Sequence, residues 1–186
     1  MKNSILCFGI LGAFTIWATG AWSGAYEDWR DATELVKKQD YKTAIPLYDR
    51  AIGSKEYSGI YLAQLYHMRG RAKLLNHGLR LTNDDALLRS AETDIAESIR
   101  INPKNYEAYN DRGASSAMLK DYESAIKDFT TVISLKSDYF DGYNNRCLAF
   151  ASLGRKDEAI ADCRKALQLN PTHWQPKKTL ERLGAN

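Results

Sequence analysis

The side chains best suited to catalysis or metal binding are few in this chain of 186 residues, and they are scattered. None of the three histidines, His67, His77 and His173, has a cysteine or another histidine at the spacing of a metal site. A glycine-rich phosphate loop, a Gly-x-Ser-x-Gly motif and a Cys-x-x-Cys motif are all missing from the sequence. The sequence therefore predicts neither an enzyme nor a metal or cofactor site. Of its three cysteines, Cys7 lies in the apolar N-terminal segment; the other two, Cys147 and Cys163, have a chemistry that depends on the elements that carry them.

The overall charge and composition exclude several classes of protein. Lysine and arginine number 26 and aspartate and glutamate 23, which gives a net charge of +3 with neutral histidines. Because no block of basic residues accompanies this small excess, no nucleic-acid partner is predicted. With 44% hydrophobic and 26% charged residues, the composition is that of a folded globular protein and not of a disordered, collagen-like or multi-span membrane protein.

The N-terminal segment differs from the rest of the chain. No charged residue lies between Lys2 and Glu27, and residues 5–17 form an apolar run that small residues follow. This layout is typical of a secretory signal peptide over residues 1–25, cleaved after Ser23-Gly24-Ala25, with Ala21-Trp22-Ser23 as an alternative site. The alternative is an uncleaved anchor, since about 20 apolar residues can span a bilayer. We therefore expect an exported protein, periplasmic or secreted, or else one anchored in the membrane and facing the periplasm.

The remainder of the chain repeats itself at an offset of 34 residues. The segment that begins at Asn105 aligns with the one that begins at Tyr139, and many residues of the two copies are identical. The matched pairs include Tyr109 with Tyr143, Asn110 with Asn144, Arg112 with Arg146, Ala125 with Ala159 and Asp128 with Asp162. A fixed period of this length is the mark of a stack of similar structural units.

Each copy has the pattern of two packed helices. Apolar residues recur at helical spacing from Tyr122 to Ile133, which predicts an amphipathic helix over residues 121–135 with Asp121 as its N-cap. Small residues such as Gly113 recur in the preceding helical segment and allow a second helix to approach closely. Because such a hairpin is apolar on both flanks, it must stack on neighbouring hairpins.

The period and these positions resemble the tetratricopeptide repeat. The residues that carry the resemblance are Tyr109, Gly113, Ala125 and Phe129 in one copy, and Tyr143, Cys147, Ala159, Cys163 and Pro171 in the next. The resemblance implies an all-α, right-handed superhelical solenoid of about four helix hairpins over residues 26–183. We expect repeats near 26–58, 63–105, 106–139 and 140–173, then a capping helix at 172–183 whose Trp174 and Leu180 face the last repeat.

Two departures from the pattern affect the first half of the solenoid. Pro46 falls inside the second helix of the first repeat, where we expect a kink. The second repeat has nine extra residues at 76–84, and Asn76-His77-Gly78 predicts the end of a helix there. The insertion either lengthens the hairpin, with its leucines packed on the repeat itself, or forms a lip at the edge of the groove.

The two cysteines occupy matching heights in the fourth repeat. Cys147 replaces the glycine of the preceding copy and Cys163 replaces its aromatic residue, on antiparallel helices. One interpretation is a disulfide that closes a loop of roughly 15 residues and contributes about 3 kcal/mol, if the Cα atoms lie about 4.4–6.8 Å apart. The other is a pair of buried thiols that pack as small apolar groups.

The resemblance also implies where a partner binds, because the first helices of such hairpins line a concave groove. The groove candidates are Trp29, Arg30 and Lys37; Gln64, His67 and Arg71; Glu107, Asn110, Asp111 and Ala114; Asp141, Asn144, Asn145 and Leu148; and Lys178 and Arg182 in the cap. Asparagine amides can pair with the backbone of an extended peptide; the alternative is that these positions are merely solvated.

The charges of the candidate groove distinguish it from part of the family. Some members clamp a C-terminal carboxylate with basic and amide groups, but here Asp111 and Asp141 stand at such places, so we predict no carboxylate clamp. The groove is instead expected to be polarised, with Arg30, His67 and Arg71 towards its N-terminal end and Glu107, Asp111 and Asp141 in its middle.

The sequence leaves two functional hypotheses. The first is a non-enzymatic adaptor or scaffold of the cell envelope that binds an extended peptide or a helix of a protein partner, with no small-molecule substrate. The second is a structural or oligomerisation module of an envelope complex, with possible self-association. In either case the only contact with a membrane is through the N-terminal segment, if it is uncleaved.

Overall fold

The computed structural model describes residues 21–80 and 85–185, and within them all regular structure is helical. The helices are α1 (Ala21–Lys37), α2 (Tyr41–Gly53), α3 (Gly59–Arg80), α4 (Asp85–Ile101), α5 (Tyr106–Met118), α6 (Tyr122–Leu135), α7 (Phe140–Ser152), α8 (Lys156–Leu169) and α9 (Trp174–Arg182). They form four successive hairpins and a single terminal helix. The predicted all-α solenoid with a C-terminal cap is confirmed.

The stacking of the helices creates two unequal sides. Each helix packs on its neighbours in sequence, and α3, α5, α7 and α9 also contact one another in that order. The even-numbered helices pack mainly on their sequence neighbours. Because the odd-numbered helices stand closer together, they form the inner, concave side of the stack.

The start of α1 overlaps the predicted leader. The apolar run of residues 5–17 lies outside the described residues. The helix begins at Ala21, so it includes the predicted cleavage site, and Ala25 is buried. Cleavage after Ala25 would remove the first turn of α1 and leave residues 26–37 of that helix.

Polar caps fix where several helices begin. Asp121 accepts a hydrogen bond from the backbone N–H of Ser124 at 3.2 Å, which confirms it as the N-cap of α6. Hydrogen bonds from Ser124 also lower the pKa of Asp121. Asp40 caps α2 in the same way, through Thr43. The sequence signal for these helix starts is therefore local and reliable.

A close contact between the two helices of a hairpin recurs at one position. A Cβ atom on Gly70 would lie 2.7 Å from a side-chain atom of Ile95, and one on Gly113 would lie 2.7 Å from the ring of Phe129. In the fourth hairpin Cys147 and Cys163 fill the corresponding pair of positions. Glycine is required where the opposite side chain is large, and the smaller cysteine pair makes room for two sulfur atoms.

A buried ion pair joins the two helices of each of the second, third and fourth hairpins. The pairs are Arg69 with Asp94, Arg112 with Asp128 and Arg146 with Asp162, at nitrogen–oxygen distances of 2.5, 2.7 and 2.6 Å. Each carboxylate is at least nine-tenths buried, and a tyrosine three residues before each arginine lies 5.5 to 6.0 Å from the guanidinium. The first hairpin uses a surface pair instead, Arg50 with Asp28.

The insertion in the second repeat lengthens its helices. The predicted helix end at Asn76-His77-Gly78 is wrong, because α3 continues to Arg80 and is 22 residues long. Leu74 is buried against Leu88 and Ala91 of α4, so packing between the helices outweighs the local stop signal. Residues 81–84 lie outside the description. In the first repeat α2 continues past Pro46, which is exposed, to Gly53.

Candidate functional site

A cavity of about 460 Å³ opens on the inner side at the N-terminal end of the stack. Helices α1 and α3 and the first turn of α5 form its walls. Its apolar wall consists of Trp29, Ile60 and Met68, and its polar wall includes Gln64 and Glu107. The volume lies in the range typical of ligand pockets.

An aromatic cluster is built around Trp29, which lines this cavity. The ring of Trp29 on α1 meets Tyr57 at 5.3 Å and Tyr61 at 6.2 Å, both edge to face, so the α2–α3 connection and the start of α3 hold the indole. Tyr61 and Ile60 are each 58% exposed. A smaller hollow of about 210 Å³ borders Trp29 and is lined in part by Tyr26. Exposed apolar side chains are thus concentrated at this end of the inner face.

The buried corner of the cavity is a chain of hydrogen bonds centred on His67. Asn105 caps α5 by accepting from the N–H of Ala108, which directs its amide nitrogen towards Nδ1 of His67 at 3.4 Å. If Nδ1 accepts, then Nε2 carries the proton and donates it to Asp111 at 2.8 Å. His67 and Asp111 are only 6% and 8% exposed. Their hydrogen bond satisfies both buried side chains and joins α3 to α5.

The hydrogen bonds around His67 contradict the charge pattern that the sequence predicts for the groove. Arg71 also approaches Asp111, at 3.8 Å, and Arg30 pairs with Asp31 at 2.8 Å. The expected separation between a basic end and an acidic middle therefore fails at His67 and Asp111, whose side chains lie within one cluster. Sequence alone could not place these groups together because they are 44 residues apart.

The asparagines of the C-terminal half form a second internal chain. Asn145 donates to Asn110 at 3.1 Å, and Asn144 donates to Asn145 at 3.3 Å and to Gln175 at 3.1 Å. These contacts connect α5, α7 and α9. Asn144 is 4% exposed, so it is not the solvent-facing groove amide that the sequence predicts. The amides hold successive repeats to one another.

The last groove candidates lie near an exposed aromatic edge. Asp141 is half-buried next to Tyr139, whose pKa is raised mainly by burial and further by Asp141. Lys178 is exposed, with its ammonium 5.9 Å from the ring of Trp174. The prediction that Trp174 faces the last repeat is wrong, because this side chain is 63% exposed, whereas Leu180 is buried as expected.

The sulfur atoms of Cys147 and Cys163 lie in contact in the fourth hairpin. The Cα atoms are 5.4 Å apart, within the range that a disulfide requires. Both side chains are fully buried in a cluster with Phe150 and Leu180. The hairpin therefore has the geometry for a bond between α7 and α8, near the cap.

Sequence reasoning missed part of the cavity wall. Ile60 and Met68 were not recognised, since nothing in the sequence shows which apolar residues of a helix remain uncovered. Asn102 and Asn105 lie between α4 and α5, and the predicted groove residues all lie on the first helices of the hairpins or on the cap. The one available signal for Asn105 was its position as an N-cap three residues before Ala108.

Neither a metal-binding cluster nor a membrane-spanning helix is found in the described part of the chain. Within residues 21–80 and 85–185, no group of three or more histidine, cysteine or acidic side chains is placed to hold a metal ion. Among the helices described, none combines the length and the apolar character that crossing a bilayer requires.

Comparison with known proteins identifies the repeats. Residues 106–139 and 140–173, which contain the third and fourth hairpins, each match the tetratricopeptide repeat. Residues 106–173 are two tetratricopeptide repeats, which together with the shared fold support a protein of that family. The family fold is in general a non-enzymatic one for protein interaction.

Curated tetratricopeptide repeat proteins match over parts of their length. The small glutamine-rich tetratricopeptide repeat-containing protein 2 of Saccharomyces cerevisiae is 25% identical over 145 residues, which cover 63% of this chain and 42% of that protein. The STIP1 homolog of Dictyostelium discoideum is 34% identical over 92 residues, 50% of this chain and 16% of that protein. The chain thus spans less than half the length of these relatives.

Solved tetratricopeptide structures share the fold. The peptide-binding tetratricopeptide protein YrrB superposes with a TM-score of 0.70 at 18% identity, over 86% of this chain and 76% of its own. The first tetratricopeptide domain of Spaghetti (RPAP3), bound to the HSP90 peptide SRMEEVD, has a TM-score of 0.59 at 20% identity, over 66% and 90%. At these identities the likeness concerns the fold alone.

Proposed function

We propose that this tetratricopeptide chain is a non-enzymatic adaptor that binds an extended segment or a helix of a protein partner at the N-terminal end of its inner face. The cavity of about 460 Å³ between α1, α3 and α5 carries the proposal. It joins exposed apolar surface at Ile60 to polar side chains, Gln64 and Glu107, for which no bond appears among the described residues. A concave apolar site with a few free polar groups is the usual form of a binding site.

Two related observations support a peptide as the bound species. The solved RPAP3 domain, which shares this fold, contains an HSP90 peptide. The chain also has its free groups on one continuous wall, whereas the amides further along the inner face are bonded to each other. We therefore place the partner segment on α1 and α3 and not on α7 and α9.

Site-specific photo-crosslinking in intact cells tests this proposal. A photo-reactive amino acid at Gln64 would lie in the cavity wall, and the same residue at Arg164, exposed on the outer helix α8, is the matched control. We expect a defined partner crosslink from Gln64 that Trp29→Ala abolishes, and none from Arg164. The same partner captured equally from both positions would overturn binding at the inner face.

We further propose that the adaptor acts in the cell envelope, after export. Support comes from the charge-free start of the sequence and from the cysteine pair in contact, since disulfides persist in oxidising compartments. N-terminal sequencing of the protein from cells tests the leader. A first residue near Tyr26 supports cleavage, and an intact Met1 supports the membrane-anchored alternative.

The Cys147–Cys163 disulfide is part of the same proposal. The Cα separation of 5.4 Å and full burial allow an oxidised pair that staples α7 to α8 beside the cap. Labelling of the unfolded, unreduced protein with a thiol reagent measures it directly. Neither cysteine should react; labelling of both would contradict the bond.

One observation favours the alternative of a structural or oligomerising module. Trp174, at the start of the terminal helix, is 63% exposed and stacks on His173, so the C-terminal end of the solenoid presents an uncovered aromatic surface. Sedimentation at increasing concentration distinguishes the two functions. Self-association that Trp174→Ser abolishes would support this alternative, and a monomer at all concentrations would contradict it.

A further inference from the structure

The cavity at the N-terminal end has a wall that carries negative charge and no lysine or arginine. Glu107 is an exposed carboxylate of the wall, and the side-chain amides of Gln64 and Asn102 also line it. The open space is therefore bordered by hydrogen-bond acceptors together with amide groups.

Two acceptor groups of this wall, on Glu107 and Gln64, are available to a partner. The amide oxygen of Asn102 instead accepts from the N–H of Lys104. Neither Glu107 nor Gln64 has a hydrogen bond or an ion pair to any described side chain. Lys136 feels the charge of Glu107, but its ammonium is held by the hydroxyl of Tyr106 at 3.2 Å and lies over two tyrosine rings. By contrast Asp111, deeper in the same corner, is already bonded to His67.

The opposite wall suits the stem of a long side chain. Trp29 and Met68 provide an indole ring and a flexible thioether, and Ile60 lies beside them. An aromatic face attracts a cation, and aliphatic groups cover the methylene stem that leads to it. A guanidinium has five donors in one plane, so it can reach separate oxygens and stack on a ring at the same time.

We propose that this cavity receives an arginine side chain of the partner segment. The guanidinium binds the carboxylate of Glu107 and the amide oxygen of Gln64, and its stem lies against Trp29 and Met68. The inference rests on the proposed function and adds to it the chemistry that selects the partner. It differs in sign from the recognition of SRMEEVD by the RPAP3 domain, since that peptide has three acidic residues.

A titration with short capped peptides tests the inference. The probes are acetyl-Ser-Gly-Arg-Gly-Ser-amide and the same peptide with norleucine, lysine or glutamate in the central place. Binding is followed in proton–nitrogen spectra of the protein in the form that cells accumulate, through the indole N–H of Trp29 and the side-chain amides of Gln64 and Asn102. We expect the arginine peptide to bind about fivefold to tenfold more tightly than the norleucine peptide.

A matched pair of variants separates the charge from the fold. Glu107→Gln keeps the shape of the wall, and Glu123→Gln is the control, because Glu107 and Glu123 occupy the same place in the first turns of α5 and α6. Glu107→Gln should weaken the arginine peptide about threefold to fivefold and remove most of its advantage over norleucine. Glu123→Gln should change neither value, and high ionic strength should reduce the advantage.

The outcomes also distinguish this inference from the proposed function. Equal binding of the arginine and norleucine peptides, tighter binding of the lysine or glutamate peptide, or no shift at Trp29 and Gln64 with any peptide would overturn the arginine pocket. In each of these cases the crosslink from Gln64 could still form, and the adaptor function would stand. Loss of that crosslink alone would refute the adaptor and leave the peptide selectivity measurable.

Discussion

The two ends of the inner face use similar residues in opposite ways. At the C-terminal end Asn110, Asn144 and Asn145 donate and accept among themselves and with Gln175. At the N-terminal end Gln64 and Glu107 border a cavity without such partners. Polar side chains on the inner helices are therefore open to a binding partner only where neighbouring repeats leave them without hydrogen bonds.

The contrast follows from how regular the repeats are. The third and fourth repeats are the most alike in sequence. Their matching ion pairs join the two helices of each hairpin, and their asparagines connect α5, α7 and α9. The first repeat lacks the buried arginine–aspartate pair, and α1 meets α3 through aromatic rings at its start. The regular repeats bond to one another along the inner face, and the irregular first repeat borders an open cavity there.

The largest expected effect concerns the buried ion pairs of the regular repeats. Asp162→Ala leaves Arg146 without its carboxylate in a largely buried place and should reduce the free energy of unfolding by about 3 kcal/mol. Asp28→Ala, which breaks the surface pair with Arg50, should cost less than about 1 kcal/mol. Urea denaturation of both variants measures the difference. Equal losses would show that the two ends are held alike.

The cysteine pair should add stability to the C-terminal end alone. The double variant Cys147→Ala, Cys163→Ala should lose about 3 kcal/mol relative to the oxidised protein, since it reopens the loop between α7 and α8. A reducing agent should destabilise the original protein and leave the double variant unchanged. Insensitivity of both proteins to reduction would contradict a disulfide.

Two amide substitutions should act on different properties. Asn144→Ala removes a buried link to Gln175 and should reduce stability by about 1 to 2 kcal/mol. Gln64→Ala removes an exposed side chain, so it should change stability by less than about 0.5 kcal/mol and weaken partner binding instead.

Thermal unfolding measures the stability of both variants. The yield of a partner crosslink measures binding, with the photo-reactive residue placed at Thr33 of the cavity wall for this purpose. A loss of binding in a well-folded Asn144→Ala variant that exceeds the loss in Gln64→Ala would reverse our assignment of the two ends.

The smallest effect concerns the turns inside the hairpins. Lys120 and Gly154 have positive φ angles, 64° and 73°, at the same place in the third and fourth hairpins. Lys120→Gly should stabilise the protein by up to about 1 kcal/mol, and Gly154→Ala should destabilise it by about 1 kcal/mol, because only glycine adopts this conformation without steric cost. Denaturation midpoints measure both changes. A loss of stability in Lys120→Gly would show that this turn is not strained.

The sequence predicted the hairpins well because their signals are local. The period of 34 residues, the N-cap at Asp121 and the small residue at Gly113 together define a helix pair and its close contact. The helix end predicted at Asn76-His77-Gly78 failed because Leu74 packs on α4 and keeps the helix intact. Local stop signals are weak where tertiary packing continues beyond them.

The candidate site was predicted only in outline for a similar reason. The helices that line it and several residues, Trp29 and His67 among them, followed from the repeat pattern. The hydrogen bonds of these side chains did not follow from the pattern. The bond from His67 to Asp111 and the series of bonds from Asn110 to Gln175 join residues of different repeats. Which polar groups are free depends on these long-range contacts, and a single sequence does not contain them in readable form.

The position of the partner along the inner face is the most direct test of this account. Photo-reactive residues at Gln64 in α3 and at Leu148 in α7 sample the two ends of the inner face within one protein. We expect the partner to be captured from Gln64, and we expect Leu148 to give little or no crosslinked product. Capture mainly from Leu148 would contradict it and would place the binding site on the repeats that we assign to stability.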